Sequence, residues 1–257
     1  MERQLKLSTV TGPAWAGCAY FSTLRYPGYS VGDWEGLNVG AHCGDDPLLV
    51  ADNRALLGQH VPSQPVWLQQ VHGTGVFNAD NNVTTGGEPP QADAAITSEP
   101  NRVLAIMTAD CLPVVVYDAA GGVVGVAHAG WRGLASGVLE RMVDQMQTKT
   151  RTSGPLSAWV GPAISQQHFE VGTEVREAFL AKDACYDMYF VPSKNAGKYF
   201  ADLPSIARHR LYQHCDGGIA VALSGECSFE RTDRYYSYRR HATTGRLVTV
   251  AWLQSGN

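Results

Sequence analysis

The chain has 257 residues, 44% hydrophobic and 17% charged, a balance that excludes a disordered polymer and leaves ample material for a buried core. Its 24 acidic and 20 basic residues give a net charge of −4 and a pI near 6.0, which argues against a general nucleic-acid or anionic-membrane binder. No apolar run approaches the ~20 residues of a membrane helix. Met1 to Gly17 has no long apolar core and carries Glu2, Arg3 and Lys6 early, so neither signal peptide nor anchor is expected. Cys18, Cys43, Cys111, Cys185, Cys215 and Cys227 form no C-x-x-C pair and read as reduced thiols of a cytoplasmic protein.

The elements follow in chain order. A strand over Ala19 to Leu24 leads into a Gly- and Tyr-rich loop. Asp46 is an N-cap and Pro47 a first helical residue, opening a helix whose apolar face is Leu48, Leu49, Leu56 and Leu57. Val66 to Val71 reads as a strand with Gly73-Thr74-Gly75 as its turn, and the polar stretch Asn78 to Pro90 as a loop. Val103 to Thr108, Pro113 to Tyr117 and Val123 to Ala127 are continuous apolar runs, expected as strands buried on both faces. A helix is expected from Gly133 to Lys149, with a core stripe of Val138, Leu139, Met142, Val143 and Met146. A short strand ends at Trp159-Val160. Helices over Gly172 to Lys182 and Leu203 to His214 follow, the latter capped by Asp202, and strands Ile219 to Leu223 and Leu247 to Leu253 close the sheet system. With no repeat and no linker-like tract, residues 1–257 are expected to form a single α+β domain, mixed sheets packed with flanking helices.

Three runs end on metal-type side chains: Gln70-Val71-His72-Gly73, Ala109-Asp110-Cys111-Leu112-Pro113 and His128-Ala129-Gly130-Trp131-Arg132-Gly133. Taken singly, a buried Cys is a small hydrophobe and a lone His a hydrogen-bonded core residue. At strand ends, however, residues collect along one sheet edge, where loops build sites. One thiolate and two imidazoles are the ligand set of a catalytic zinc, which keeps its fourth position open for water or substrate. Asp110 offers a carboxylate to orient an imidazole or a substrate hydroxyl. Gly130 and Gly133 let the backbone come close to a ligand, and Arg132 sits at the start of a helix, where an anion is favoured. Arg54 and Arg132 are candidates for phosphate or transition-state charge, and Asp110 and Asn38 for positioning. Arg234, Arg239 and Arg240 interleave with Tyr235, Tyr236 and Tyr238, so the rings could stack on a base or pack in the core.

Q-V-H-G, A-D-C-L-P and H-A-G-W-R-G, in this order, resemble the YfiH-type family, also called polyphenol oxidoreductase or laccase-domain proteins. Leu37-Asn38-Val39-Gly40, Gly44-Asp45-Asp46-Pro47, Asn53-Arg54, Val160-Gly161-Pro162, Ser237-Tyr238-Arg239-Arg240 and Thr244-Gly245-Arg246 extend the likeness over nearly the whole chain. The resemblance implies a fold like the catalytic domain of the deamidating CNF toxin. It implies zinc on His72, Cys111 and His128, and purine nucleoside phosphorolysis on adenosine or inosine. Adenosine deamination and methylthioadenosine phosphorolysis are implied as companion activities, and editing of peptidoglycan precursors in some members. Among these motif residues, Arg239 and Arg240 are candidates for substrate binding. One departure stands out: His241 follows Arg240 where the family more usually shows Asp.

Eight histidines, none arranged as H-x-H, are too few for a blue-copper site plus a copper cluster, so a self-contained laccase is not expected. A Cys-His-His site could still take up copper adventitiously. A metal-free cysteine hydrolase is the enzymatic rival, with Cys111 as nucleophile, His128 or His72 as base and Asp110 or Asn38 as orienter. A closed structural zinc site, with a fourth ligand from His42, Cys43 or Cys227, is the non-enzymatic one. The expected partners are small molecules, a purine nucleoside and phosphate, with no nucleic acid and no membrane.

Overall fold

Alternating side chains in the apolar strands give each of two sheets two faces to bury, and the layers of the fold follow from that. The computed structural model describes residues 5–80, 87–150 and 154–255. Strands and helices are numbered in chain order. One sheet has the spatial order β12 (Ile219–Leu223), β8 (Leu156–Val160), β6 (Leu112–Asp118), β7 (Val123–Ala129), β4 (Ala94–Thr97), β3 (Val76–Asn78). A second has the order β1 (Thr9–Val10), β2 (Cys18–Thr23), β13 (Leu247–Leu253), β5 (Leu104–Thr108), and a small third sheet joins β10 (Phe190–Pro192), β11 (Lys198–Ala201) and β9 (Glu170–Gly172).

Val115, Tyr117, Val124, Val126 and Trp159 of the first sheet meet Tyr20, Leu104, Ile106, Ala251 and Leu253 of the second in one core. The opposite face of the first sheet, with Val114, Val116, Val123 and Ala127, is covered by α3 (Val138–Thr150), α4 (Thr173–Leu180) and α5 (Leu203–His214). The opposite face of the second, with Ala105, Met107, Val248 and Val250, takes Leu56 and Leu57 of α1 (Pro47–Gly58). This is a mixed α+β fold of four layers. β4, β5, β6 and β7 are buried at every residue, as their apolar runs require. That burial comes from sheet-on-sheet and helix packing around antiparallel β6–β7 and β4–β7 pairs, not from a parallel sheet.

Several expectations change. Val66 to Val71 forms no strand: it makes isolated bridges at Val66 and Gln69, and the Gln70 side-chain amide pairs with the Met107 backbone at 2.8 Å in both directions. The buried residues of α1 are Val50, Asn53, Leu56 and Leu57, while Leu48 is exposed. The helix expected from Gly133 to Lys149 is two helices, α2 (Trp131–Ser136) and α3, because Gly137 takes the left-handed conformation at φ 96°. Asp46 and Asp202 cap α1 and α5 as expected, accepting from the Leu48 and Ser205 N–H groups. The loop expected over Asn78 to Pro90 lies partly in residues 81–86, outside the described residues.

Candidate metal centre

Antiparallel pairing brings the start of β6 and the end of β7 to the same end of one sheet. Pro113 pairs with His128 and Leu112 with Ala129, so Cys111 and His128 lie on adjoining strand ends. β4 lies on the other side of β7, with Ala94 opposite Ala127. That register carries Asp93 to His128, whose N–H donates to the Asp93 carbonyl at 2.7 Å. The Asp93 side chain, fully buried, accepts from His128 Nδ1 at 2.8 Å and from the backbone N–H groups of Val71, His72 and Gly73 at 3.2, 2.9 and 2.7 Å. One carboxylate therefore orients one imidazole and clamps the loop that carries the other. The His72 backbone sits in the left-handed region at φ 59°, a costly conformation for a residue with a side chain, and the Asp93 clamp holds it there.

The ligand atoms of His72, Cys111 and His128 lie within 4.8 Å of one another. Cys111 Sγ is 3.9 Å from His72 Nε2, and the two imidazole rings stand edge to face with centroids 4.7 Å apart. Zinc–sulfur and zinc–nitrogen bonds of about 2.3 and 2.0 Å at a tetrahedral angle separate the two donors by about 3.6 Å, so the donor set fits that ion. A Cβ at Gly130 would lie 2.8 Å from His72 Cδ2 and 3.1 Å from Cys111 Sγ. Gly130 is thus required for the ligands' own close approach. Burial alone would raise the Cys111 thiol, but the charge and hydrogen bonds of His128 and His72 bring it down to about 6. Burial would likewise lower His128, and Cys111 and Asp93 instead raise it to about 9. The Asp93 carboxyl, which burial would raise, is held below its ordinary value by His128 and the backbone donors.

A cavity of about 540 Å³ opens over these ligands, with Trp131, Arg132, Phe169, Tyr238, Arg239 and Arg246 among its walls. Arg132 lies over the Trp131 ring at 4.4 Å and Arg239 over Phe169 at 5.0 Å. Helix α2 has only six residues, so little of the helix-start charge expected at Arg132 is available.

Other expected site residues are turned to structural work. Asp110 lines the cavity, yet its carboxylate accepts from Ser228 Oγ, Ser237 Oγ and the Arg239 N–H at 2.7, 3.0 and 2.7 Å. It anchors the 226–240 segment and does not orient an imidazole; Asp93 does. Asn38 is fully buried, accepting from the Gly40 and Arg246 N–H groups and donating to Asp45. Arg54 donates to the Val39 carbonyl at 2.9 Å and lies over Trp67, and Arg240 donates to the carbonyls of Ser228, Phe229 and Tyr235. None of these three lines the cavity. Tyr235 and Tyr236 are fully buried, bonded through their hydroxyls to Glu226 and to the Trp34 and Glu35 carbonyls; Tyr238 is exposed and does face the cavity. His241 is exposed and stands outside it. His42, Cys43 and Cys227 do not join the three-ligand cluster among the described residues.

Asp93, Phe169 and Arg246 are site groups that the sequence does not single out. Arg246 is marked only as the close of the Thr244-Gly245-Arg246 motif. Asp93, a lone acid flanked by alanines at the mouth of a buried strand, signals only a carboxylate in need of donors.

A family model described as multi-copper polyphenol oxidoreductase laccase matches residues 19–254. The chain belongs to this family. It is 45% identical over 232 residues to a Pseudomonas aeruginosa protein named purine nucleoside phosphorylase PA4543, covering 90% of this chain and 92% of that one. It is 42% identical over 256 residues to Escherichia coli purine nucleoside phosphorylase YfiH, covering 96% and 100%. Among solved structures, Neisseria meningitidis protein NMB0706 superposes with a TM-score of 0.87 at 38% identity, covering 97% of this chain and 99% of that one.

Proposed function

We propose that the chain is a zinc-dependent purine nucleoside phosphorylase acting on adenosine and inosine. The observation that carries this reading is the Cys111, His72 and His128 cluster, held by Asp93 at the floor of a cavity walled by aromatic and guanidinium groups. The two relatives named purine nucleoside phosphorylase, similar over 90% or more of the chain, support it. Zinc on these three ligands would supply Lewis acidity at an open coordination position.

The chain's own residues do the rest. Trp131, Phe169 and Tyr238 offer rings for the purine, and Arg132, Arg239 and Arg246 offer planar donors for phosphate. His42, another wall residue, has its pKa pushed down by burial and by Arg246 and Arg54, so its neutral imidazole can hydrogen-bond the purine edge. In the reaction a phosphate oxygen forms the new bond to ribose C1′ as the bond to the purine nitrogen breaks, and that nitrogen takes up a proton. Adenosine deamination and methylthioadenosine phosphorolysis would share this pocket. With zinc bound, Cys111 would be a ligand and would not serve as a free nucleophile.

A second reading, a thiol hydrolase that cleaves an amide of a peptidoglycan precursor with water and leaves nucleosides untouched, is favoured by one observation: the thiolate-stabilising contact of Cys111 with His128, backed by Asp93. The test is turnover of adenosine and inosine with phosphate, products separated by chromatography, in wild type and Cys111→Ala. Free purine with ribose 1-phosphate from the wild type alone, and stoichiometric zinc, is expected. No nucleoside conversion by folded, zinc-loaded protein, with fast alkylation of Cys111 in the protein as purified, would replace it with the hydrolase.

A further inference from the structure

A second group of metal-type donors lies apart from the first. The ligand atoms of His168, Cys227 and Glu230 lie within 4.8 Å of one another. Cys227 Sγ is 3.6 Å from His168 Nδ1, matching the separation of about 3.6 Å that a tetrahedral zinc imposes on a sulfur and a nitrogen ligand. We propose that Cys227, His168 and Glu230 form a second zinc site.

The site is built as well as assembled. Cys227 is buried, and its backbone is pinned by a bridge to Ala163 with hydrogen bonds on either side, Ala163 N–H to the Glu226 carbonyl at 3.3 Å and Ser228 N–H to the Ala163 carbonyl at 3.0 Å. The Ser165 N–H points at Cys227 Sγ at 3.4 Å, which fixes the position of the sulfur. The His168 ring stacks on Phe229 with centroids 4.7 Å apart, which fixes its plane. Cys227 and Glu230 line a separate cavity of about 410 Å³ with Ser165, Gln166 and Glu226, so an ion has a way in and room for a water as fourth ligand. Ser165 Oγ, 3.1 Å from His168 Nδ1, is the bond the ion would replace. On binding, Cys227 gives up its thiol proton to solvent and no electron moves.

The position gives the site a consequence. Ser228, next to Cys227, donates to Asp110 at the wall of the first cavity, and the same segment carries Tyr238 and Arg239 into that cavity. An ion joining Cys227 and Glu230 to His168 would tie this segment to the turn after β8 and stiffen it.

The test uses the full chain in a Cys111→Ala background, which removes the thiolate of the first site. Cobalt titration is expected to give a thiolate-to-cobalt charge-transfer band saturating at one equivalent, and zinc to displace it. The band should vanish in Cys111→Ala/Cys227→Ala. Should that double variant fail to fold by circular dichroism, Cys111→Ala/Glu230→Gln, altered at an exposed side chain, is expected to lose the tight equivalent while keeping the fold. Zinc should also raise the Tm of Cys111→Ala and leave the Cys227 double variant unmoved. Absence of a thiolate band in folded Cys111→Ala, or a band that survives loss of both Cys227 and Glu230, would overturn the site.

Discussion

Asp93 serves four donors with one carboxylate, and so couples the placement of His72 to that of His128. Asp93→Asn keeps the shape but loses the charge, and is expected to weaken zinc binding at the first site about 10–100-fold. Competition titration against a chromophoric chelator measures this; unchanged affinity would remove Asp93 from the role. Gly130→Ala places a methyl against both His72 and Cys111, so zinc affinity and activity should fall together, again read by titration and initial rates. The three ligands were legible in the sequence because their residue types sit at the ends of apolar runs, and strand ends gather at sheet edges. Asp93 was not, since what marks it is the β4–β7 register. Asn38, Arg54 and Arg240 read as substrate groups because a sequence does not display the backbone groups that engage them.

The 226–246 segment and the α2–α3 break show what patterning alone misses at the level of elements. Apolar periodicity runs on from Leu134 through Val138 to Met146, so it does not register the change of direction at Gly137. A Cβ there would meet Glu140 Oε2 only at 3.6 Å, an ordinary contact, so backbone conformation sets the cost of substitution. Gly137→Ala is expected to cost about 1–2 kcal/mol in denaturant unfolding. Asp80 joins elements in another way: it pairs with Lys149 of α3 at 2.6 Å and accepts from Thr97 and Ser98 at the end of β4. Burial would raise its pKa, but these partners bring it to about 2. A depressed carboxyl stabilises the fold fully above its unfolded value and loses that contribution as pH falls through the folded one. Asp80→Asn should therefore destabilise by about 2 kcal/mol at neutral pH, and the gap to wild type should close as pH drops from about 4 toward 2. Equilibrium unfolding at several pH values checks both the size and the sign.

For the whole molecule, the α+β class and most strands followed from composition and apolar runs. The stacking of two sheets between helical layers did not, because the runs buried on both faces are equally compatible with a parallel sheet. No described helix is long and apolar enough to cross a membrane. The layering delivers three strand ends, β6, β7 and β4, to one edge beneath a cavity, and it is at this edge that we propose phosphorolysis takes place. Phosphorus NMR of the zinc-loaded wild type with inosine and inorganic phosphate follows that reaction itself. Ribose 1-phosphate is expected in equal amount with hypoxanthine, with no hypoxanthine released when phosphate is left out. Hypoxanthine released with free ribose, or inosine left intact by folded zinc-loaded protein, would contradict it.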